Sequence, residues 1–275
     1  MSAHRARLEE QRRAMVSDVA HELRTPLSNI RGWLEAAQDG LADPDPAFVS
    51  SLLEEAVQLQ HIIDDLQDLA AADAGVLRLH PEPVRVGELL GQVAAAHQAR
   101  ADTAEVTLRV ETADGRVPEV AADPVRLRQA VGNLVSNAVR HTPPGGTVTL
   151  RAYGGGAAGG GAWSRSEDGS GSDSPTGHGS EGGSGSRGGS GFPPGDVVIE
   201  VADTGTGIPA EDLPYVFDRF WRAEKSRSRR TGGSGLGLAI VRKLAEAHGG
   251  TAGAASTEGE GSVFSIRLPG PAPTP

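Results

Sequence analysis

The 275-residue chain contains no cysteine, which excludes disulfide scaffolds, thiolate zinc sites and cysteine nucleophiles together. Basic charge is also scarce, with 26 Lys and Arg against 36 Asp and Glu and a formal net charge of -10. Such a balance gives no general attraction to a phosphate backbone or an anionic membrane, so nucleic acid is not an expected partner. Lysine is nearly absent: Lys225 and Lys243 stand beside 24 Arg, a bias of genome composition that carries nothing about mechanism. No run approaches the roughly 18 apolar residues of a membrane span, and the start, MSAHRARLEEQRRAMV, is too polar for a secretory segment.

What the chain has in excess is glycine, 38 residues beside 18 Pro, and much of it lies in one tract. Residues 154–195 hold 17 Gly and 9 Ser, without the three-residue period of collagen. The tract reads as a disordered Gly/Ser-rich insert, and the remaining ~230 residues have the apolar content of a folded protein. No repeat of 20–50 residues is visible.

Two long helices are predicted first. Val16, Val19, Leu23, Leu27, Ile30 and Leu34 recur at spacings of three and four. After the breaker DGLADPDP (39–46), Val49, Leu52, Ala56, Leu59, Ile63, Leu66 and Ala70 repeat the pattern. Two helices with narrow apolar stripes cannot close a core alone, so the expected solution is a homodimer, an all-α hairpin pairing with a second copy into a four-helix bundle.

From about residue 77 the period changes. LRLHPEPVRV, VTLRVET, TVTLRAY, DVVIEVAD and SVFSIRLP read as short strands, with helical stretches near 86–101, 124–140, 210–222 and 236–248. Strands and helices alternate irregularly, which fits an α/β sandwich with one mixed sheet. The Gly/Ser tract lies between TVTLRAY and DVVIEVAD, where it lengthens a loop. The expected division is 1–75 for the hairpin, 76–269 for the α/β domain and 270–275 for a tail.

Chemistry concentrates at four places. His21 in SDVAHELRTPLSNIRGWLE lies roughly 155° around the helix from the apolar seam, at ~100° per residue, so it is expected to face solvent beside Glu22. It is either an ordinary surface histidine or a nucleophile whose imidazole the carboxylate orients or deprotonates. Thr25 follows one turn later on that face, before Pro26. In VRLRQAVGNLVSNAVRHTPPGG, Leu127, Val131, Leu134 and Ala138 form a buried stripe, leaving Asn133 and Asn137 stacked on its flank with Arg140 beyond. That flank is either a solvated face or a place where neutral carboxamide oxygens meet Mg²⁺ and a cation meets a polyphosphate. VVIEVADTGTGIP ends a strand on Asp203, which either closes an Asx-turn or accepts a hydrogen bond from an exocyclic amine, with Gly205 and Gly207 letting a ring approach. Gly233, Gly235 and Gly237 precede a helix whose free N–H groups can cradle phosphates. That segment lacks the Gly-Lys-Ser/Thr of a P-loop and does not link a first strand to its helix, so it is no dinucleotide fingerprint.

Together these boxes, in this order, resemble the transmitter core of a bacterial sensor histidine kinase, over essentially the whole folded chain. The resemblance implies that AHELRTPL is the phospho-acceptor box, with His21 phosphorylated and Glu22 as its base. It implies that NLVSNAVRHTP places Asn133 and Asn137 around Mg²⁺, with Arg140 and His141 near the nucleotide. DTGTGIP would put Asp203 on adenine, with Gly205, Gly207 and Ile208 lining the pocket. FDRFWRAE would contribute Phe217 and Phe220, and GGSGLGLAIV the residues Gly233, Gly235, Leu236, Gly237 and Leu238. HGGTAGAASTEGEGSVFSIRLP resembles the closing hairpin of the same domain. The implied function is ATP-dependent phosphorylation of His21, transfer to an Asp of a response regulator receiver domain, and dephosphorylation of that regulator through Thr25.

The input half of such a protein is absent from this stretch, so a membrane sensor module is expected to be separate or missing. The chain itself is expected in the cytoplasm, with a longer form anchored at the inner face of the membrane. No receiver follows Pro269, which argues against a hybrid kinase. Gyrase-type and chaperone-type ATPases share the ATP-binding fold, but they carry a Glu four residues before the metal-binding Asn, where this chain has Asn133. A carboxamide cannot act as a base, so attack by water is disfavoured and transfer to His21 gains. A non-catalytic scaffold would show erosion at His21, Asn137, Asp203 or the glycines, and a serine kinase acting on a partner would not need the AHELRTP helix.

Overall fold

A computed structural model of the chain describes residues 2–112, 119–154, 196–222 and 234–270, and of 2–16, 18, 21 and 112 the backbone alone. The insert beyond Gly154 and the tail 271–275 lie outside the described residues. The chain divides into two compact units, residues 1–78 with 214–247, and residues 79–213 with 248–275.

The first unit is built on helices α1 (Ser2–Gln38) and α2 (Pro46–Asp73), packed together as a hairpin. Asn29 donates to Glu55 at 2.9 Å, and Trp33 meets Phe48 edge to face at 5.7 Å, pairings that run in opposite chain directions and make the helices antiparallel. The turn between them follows from local chemistry. Leu41 N–H reaches back to the Ala36 carbonyl and Gly40 N–H to Ala37, the double bond that ends a helix on a left-handed glycine. Asp45 then caps α2 through the N–H of Phe48 at 2.7 Å, and Pro46 occupies the first helical position, where no backbone donor is needed.

Only Phe48, Ile62 and Leu69 of α2 are buried within this chain. Leu27 (58% exposed) and Leu34 (52%) of the predicted α1 seam stand open, as do Val49 and Ile63 of the α2 stripe. The hairpin thus buries a strip of α2 and leaves apolar side chains of both helices uncovered. Helix α5 (Gly237–Ala247) packs against α2, with Ala239, Ile240, Val241, Leu244 and Ala245 buried.

The second unit holds a mixed sheet in the order β2 (Thr107–Thr112), β4 (Thr147–Gly154), β5 (Val197–Asp203), β7 (Gly261–Leu268), β6 (Thr251–Thr257). The β2–β4 pair is parallel and the rest are antiparallel. A separate two-stranded piece pairs β1 (Glu82–Arg85) with β3 (Glu119–Ala122). Helices α3 (Val86–Thr103) and α4 (Pro124–His141) pack on each other and on the sheet, α3 against β2 and α4 against β5. This is the expected α/β sandwich. Alternation along β5 puts Val197, Ile199, Val201 and Asp203 on one face, so the carboxylate ends the apolar row beneath the helices.

One predicted element is corrected. Residues 210–222 form no α-helix: a single 3-10 turn, Leu213–Tyr215, is followed by irregular chain to Arg222. Pro214 removes a backbone donor there, and Phe220 sits at φ +58, which no right-handed helix accepts. Of the predicted strand 77–86 only Glu82–Arg85 pairs, and β3 and β6 join the strands expected from periodicity.

Candidate nucleotide site and acceptor helix

Asp203 is 8% exposed at the end of β5, opposite Val148 of β4 and Ser262 of β7. Its Oδ1 accepts from the N–H of Gly205 at 2.8 Å and of Ser262 at 3.3 Å. No described residue donates to Oδ2, and no buried polar side-chain atom among them lacks a partner, so Oδ2 keeps an accessible surface. Burial pushes the carboxyl above the usual carboxylate range, and the two backbone N–H groups oppose that shift without cancelling it. The result is an acceptor of fixed direction at the C-terminal end of the central strand β5, suited to an exocyclic amine.

The glycines after it are required by the protein's own backbone. A Cβ on Gly205 would strike the His141 carbonyl, and one on Gly207 the Thr257 carbonyl of the β6–β7 hairpin. Thr206 N–H reaches the His141 carbonyl at 3.4 Å, and Ile208 N–H donates to Ser256 Oγ at 2.8 Å. The loop is thereby clamped between the end of α4 and the hairpin, which fixes Asp203, Gly205, Gly207 and Ile208 together.

Helix α4 buries Leu127, Ala130, Val131, Leu134, Val135, Ala138 and Val139, leaving Asn133, Asn137, Arg140 and His141 half-exposed on its flank. Its start is locked by Asp123, whose Oδ1 accepts from Val125 and Arg126 N–H at 3.0 and 3.1 Å and whose Oδ2 accepts from His80 N–H at 3.0 Å. The Asp123 N–H in turn donates to His248 Nε2 at 3.0 Å. Burial works against ionising Asp123, but these N–H groups and the nearby His248 outweigh it and hold the carboxyl below its ordinary range. Arg140 also lines an open cleft of about 520 Å³ with Arg100, Thr103 and Thr142. Among the described residues no three His, Asp or Glu converge as a metal nest. Two carboxamides on one helix flank fit Mg²⁺, which keeps several waters and takes most other ligands from phosphates.

In the first unit, Phe217 is buried and Phe220 half-buried. Phe220 holds its left-handed backbone, a cost of about 1–2 kcal/mol for a side-chain residue, by donating its N–H to the Gly235 carbonyl at 3.0 Å. A Cβ on Gly235, itself at φ +68, would come 2.8 Å from the Phe220 backbone, so glycine is required there. Leu236 is fully buried, and Gly237 and Leu238 open α5 half-exposed. Gly233 lies outside the described residues.

His21 lies on α1, but its side chain, and so its expected exposure, falls outside the described residues. Glu22 beside it is half-buried and Thr25 is exposed. Arg222 Nη1 approaches Glu22 Oε1 at 4.0 Å, and Arg219 Nη2 meets Asp73 Oδ2 at 2.5 Å. Sequence reasoning missed Asp123, Ser262, Arg219 and Arg222. Asp123 carries a readable signal, an Asp directly before Pro at a helix start. Ser262 and the two arginines become visible only once strands pair and segments meet.

A model of the histidine kinase-, DNA gyrase B- and HSP90-like ATPases matches residues 122–272, and the His Kinase A phospho-acceptor domain matches residues 11–75. Sensor protein DivL of Caulobacter vibrioides is 35% identical over 98% of this chain and 29% of its own length. The signal transduction histidine-protein kinase BaeS of Escherichia coli is 33% identical over 95% of this chain and 47% of its own. The sensor-like histidine kinase SenX3 of Mycolicibacterium smegmatis is 30% identical over 96% and 59%. The chain therefore spans between 29% and 59% of the length of these curated relatives. Among solved structures, the histidine kinase AdeS of Acinetobacter baumannii shares the fold (TM-score 0.65, 23% identity, 92% of this chain and 98% of that one). Full-length ShkA in complex with AMPPNP superposes with a TM-score of 0.60 at 26% identity, over 83% of this chain and 39% of that one.

Proposed function

This chain belongs to the histidine kinases, carrying the phospho-acceptor and ATPase domains of a two-component transmitter core, and from that premise we propose that it phosphorylates its own His21 from ATP and passes the phosphoryl group to an Asp of a response regulator. Residues 1–75 serve as the acceptor hairpin and 76–269 as the ATP-binding domain. The observation that carries the reading is Asp203, a carboxylate aimed by two backbone N–H groups with one oxygen left open to an adenine amine. The family motifs in the sequence further assign Phe217, Phe220, Gly233, Gly235, Leu236, Gly237 and Leu238 to nucleotide binding.

Bound ATP supplies the γ-phosphoryl group, and a Mg²⁺ ion, when bound, would supply charge neutralisation there. Asn133 and Asn137 would hold the metal through carboxamide oxygens, with Arg140 and His141 near the nucleotide. The His21 nitrogen forms a bond to the γ-phosphorus as the bond to the ADP oxygen breaks, and Glu22 takes the imidazole N–H proton. The uncovered strip containing Leu27, Leu34, Val49 and Ile63 supports a homodimer, since burying it in a second hairpin removes apolar surface from water. No helix among the described residues is long and apolar enough to cross a membrane, and a sensor module in a longer protein would supply the stimulus.

Substituting His21→Gln should leave ATP affinity within about twofold of wild type while abolishing incorporation from γ-labelled ATP, because acceptor and nucleotide residues sit in different parts of the chain. Label of wild-type amount in that variant would refute the assignment. Thr25 is exposed one turn after His21, which supports a role in orienting a water towards a phospho-Asp on a docked regulator. Thr25→Ala should therefore keep autophosphorylation and slow regulator dephosphorylation, and equal dephosphorylation rates would sink the phosphatase role.

A further inference from the structure

Arg219 and Arg222 leave one short irregular segment yet reach different helices of the hairpin. Arg219 pairs with Asp73 in the last turn of α2, and Arg222 with Glu22 in the middle of α1. Three-residue spacing in a helix would put both guanidinium groups on one face. The left-handed backbone of Phe220 between them breaks that helical relation, and its N–H bond to Gly235 holds the conformation in place. Asp218 adds a third tie, to Arg242 of α5 at 3.4 Å.

The two pairs differ in what they can do. Asp73 is far along the chain from the acceptor box, so Arg219 anchors the segment. Glu22 is adjacent to His21, and its side chain and that of Arg222 are 23% and 24% exposed. A pair partly shielded from water orients its members better than a fully solvated one, because water competes less for each charge.

We propose that Arg222 is a positioning residue for phosphotransfer, holding the Glu22 carboxylate in a fixed orientation beside His21. The proposal rests on the reading of His21 as acceptor and Glu22 as its base. Arg219, through Asp73, delivers Arg222 to that place. Nη1 of Arg222 stands 4.0 Å from Glu22 Oε1, so the pair acts through charge attraction, and the fixed positive charge of a guanidinium draws the carboxylate to one side.

The test uses the full chain, with ATP concentration varied and initial rates of autophosphorylation read for wild type, Arg222→Gln, Arg222→Lys, Glu22→Gln and the Glu22→Gln/Arg222→Gln double variant. Arg222→Gln should lower kcat at least about tenfold while leaving KM for ATP within about twofold. Arg222→Lys should recover part of that loss. In the Glu22→Gln background the same Arg222→Gln change should cost less than about twofold, because a residue acting through Glu22 has nothing left to orient. Equal losses in both backgrounds would overturn the proposal, as would a rise in KM with kcat unchanged, which would place Arg222 on the nucleotide. A rate above wild type would make the pair a brake and overturn it too. A wild type with no acid-labile phosphate would remove the acceptor reading and this inference with it, whereas a labelled wild type with an equally active Arg222→Gln variant would remove the inference alone. Melting curves of Arg222→Gln and Arg222→Lys separate misfolding from lost positioning.

Discussion

Asp203 divides its work between two oxygens, one committed to the protein and one open to a ligand. Asp203→Asn keeps a carbonyl oxygen for Gly205 and Ser262 but puts an NH₂ group where Oδ2 stands, so donor would face donor across an adenine amine. Folding raises this carboxyl above the ordinary value of 3.8, which means the native state favours the protonated form. That contribution is full below pH 3.8 and is lost as pH climbs through the raised folded value, above which ionised Asp203 is a cost to the native state. The Asn variant should therefore melt no lower than wild type at neutral pH and lose part of the acid-range dependence. Its ATP affinity, read by calorimetry, should fall by roughly 10- to 150-fold, the equivalent of ~1.5–3 kcal/mol for a mismatched polar contact. Retained affinity with lowered stability would make the residue structural only.

Elements whose pattern is carried by large apolar side chains are legible in the amino-acid sequence alone. The hairpin, α4 and strands β4, β5 and β7 all follow from spacings of Val, Leu and Ile, because a buried face must be apolar at the period of its backbone. Strand β6, TAGAAST, is readable only through its resemblance to a closing hairpin, since its small residues show no alternation and its place comes from pairing with β7. The segment 210–222 goes the other way. Its apolar residues suggest a helix, and Pro214 with the left-handed Phe220 prevents one. The irregular chain that results is what lets Arg219 and Arg222 part company. Of the site, the residue types and their order are legible, whereas the contacts that aim them, the Ser262 N–H bond to Asp203 and the Arg222–Glu22 ion pair, join positions far apart in sequence. Helix α2 carries a further feature that sequence hides: burial and the neighbouring Asp68 and Asp64 push Asp65 up to about 7.

At the scale of the whole molecule, the proposed reaction has its acceptor and its donor on different parts of one chain. Holding ATP in a sheet-based domain and the histidine on a helical hairpin separates nucleotide binding from transfer, so each can be lost without the other. Attack by water gains no base from Asn133, because a carboxamide cannot take up a proton as a carboxylate does. The central claim is therefore that the phosphoryl group ends on an imidazole nitrogen. It is tested most directly by incubating the wild-type chain with γ-labelled ATP and Mg²⁺ and splitting the labelled protein between acid and alkali. A phosphoramidate requires label that is lost in acid and kept in alkali. Label that survives acid and is released by alkali, as from a serine or threonine ester, or no bound label beside steady ATP hydrolysis, would contradict the claim.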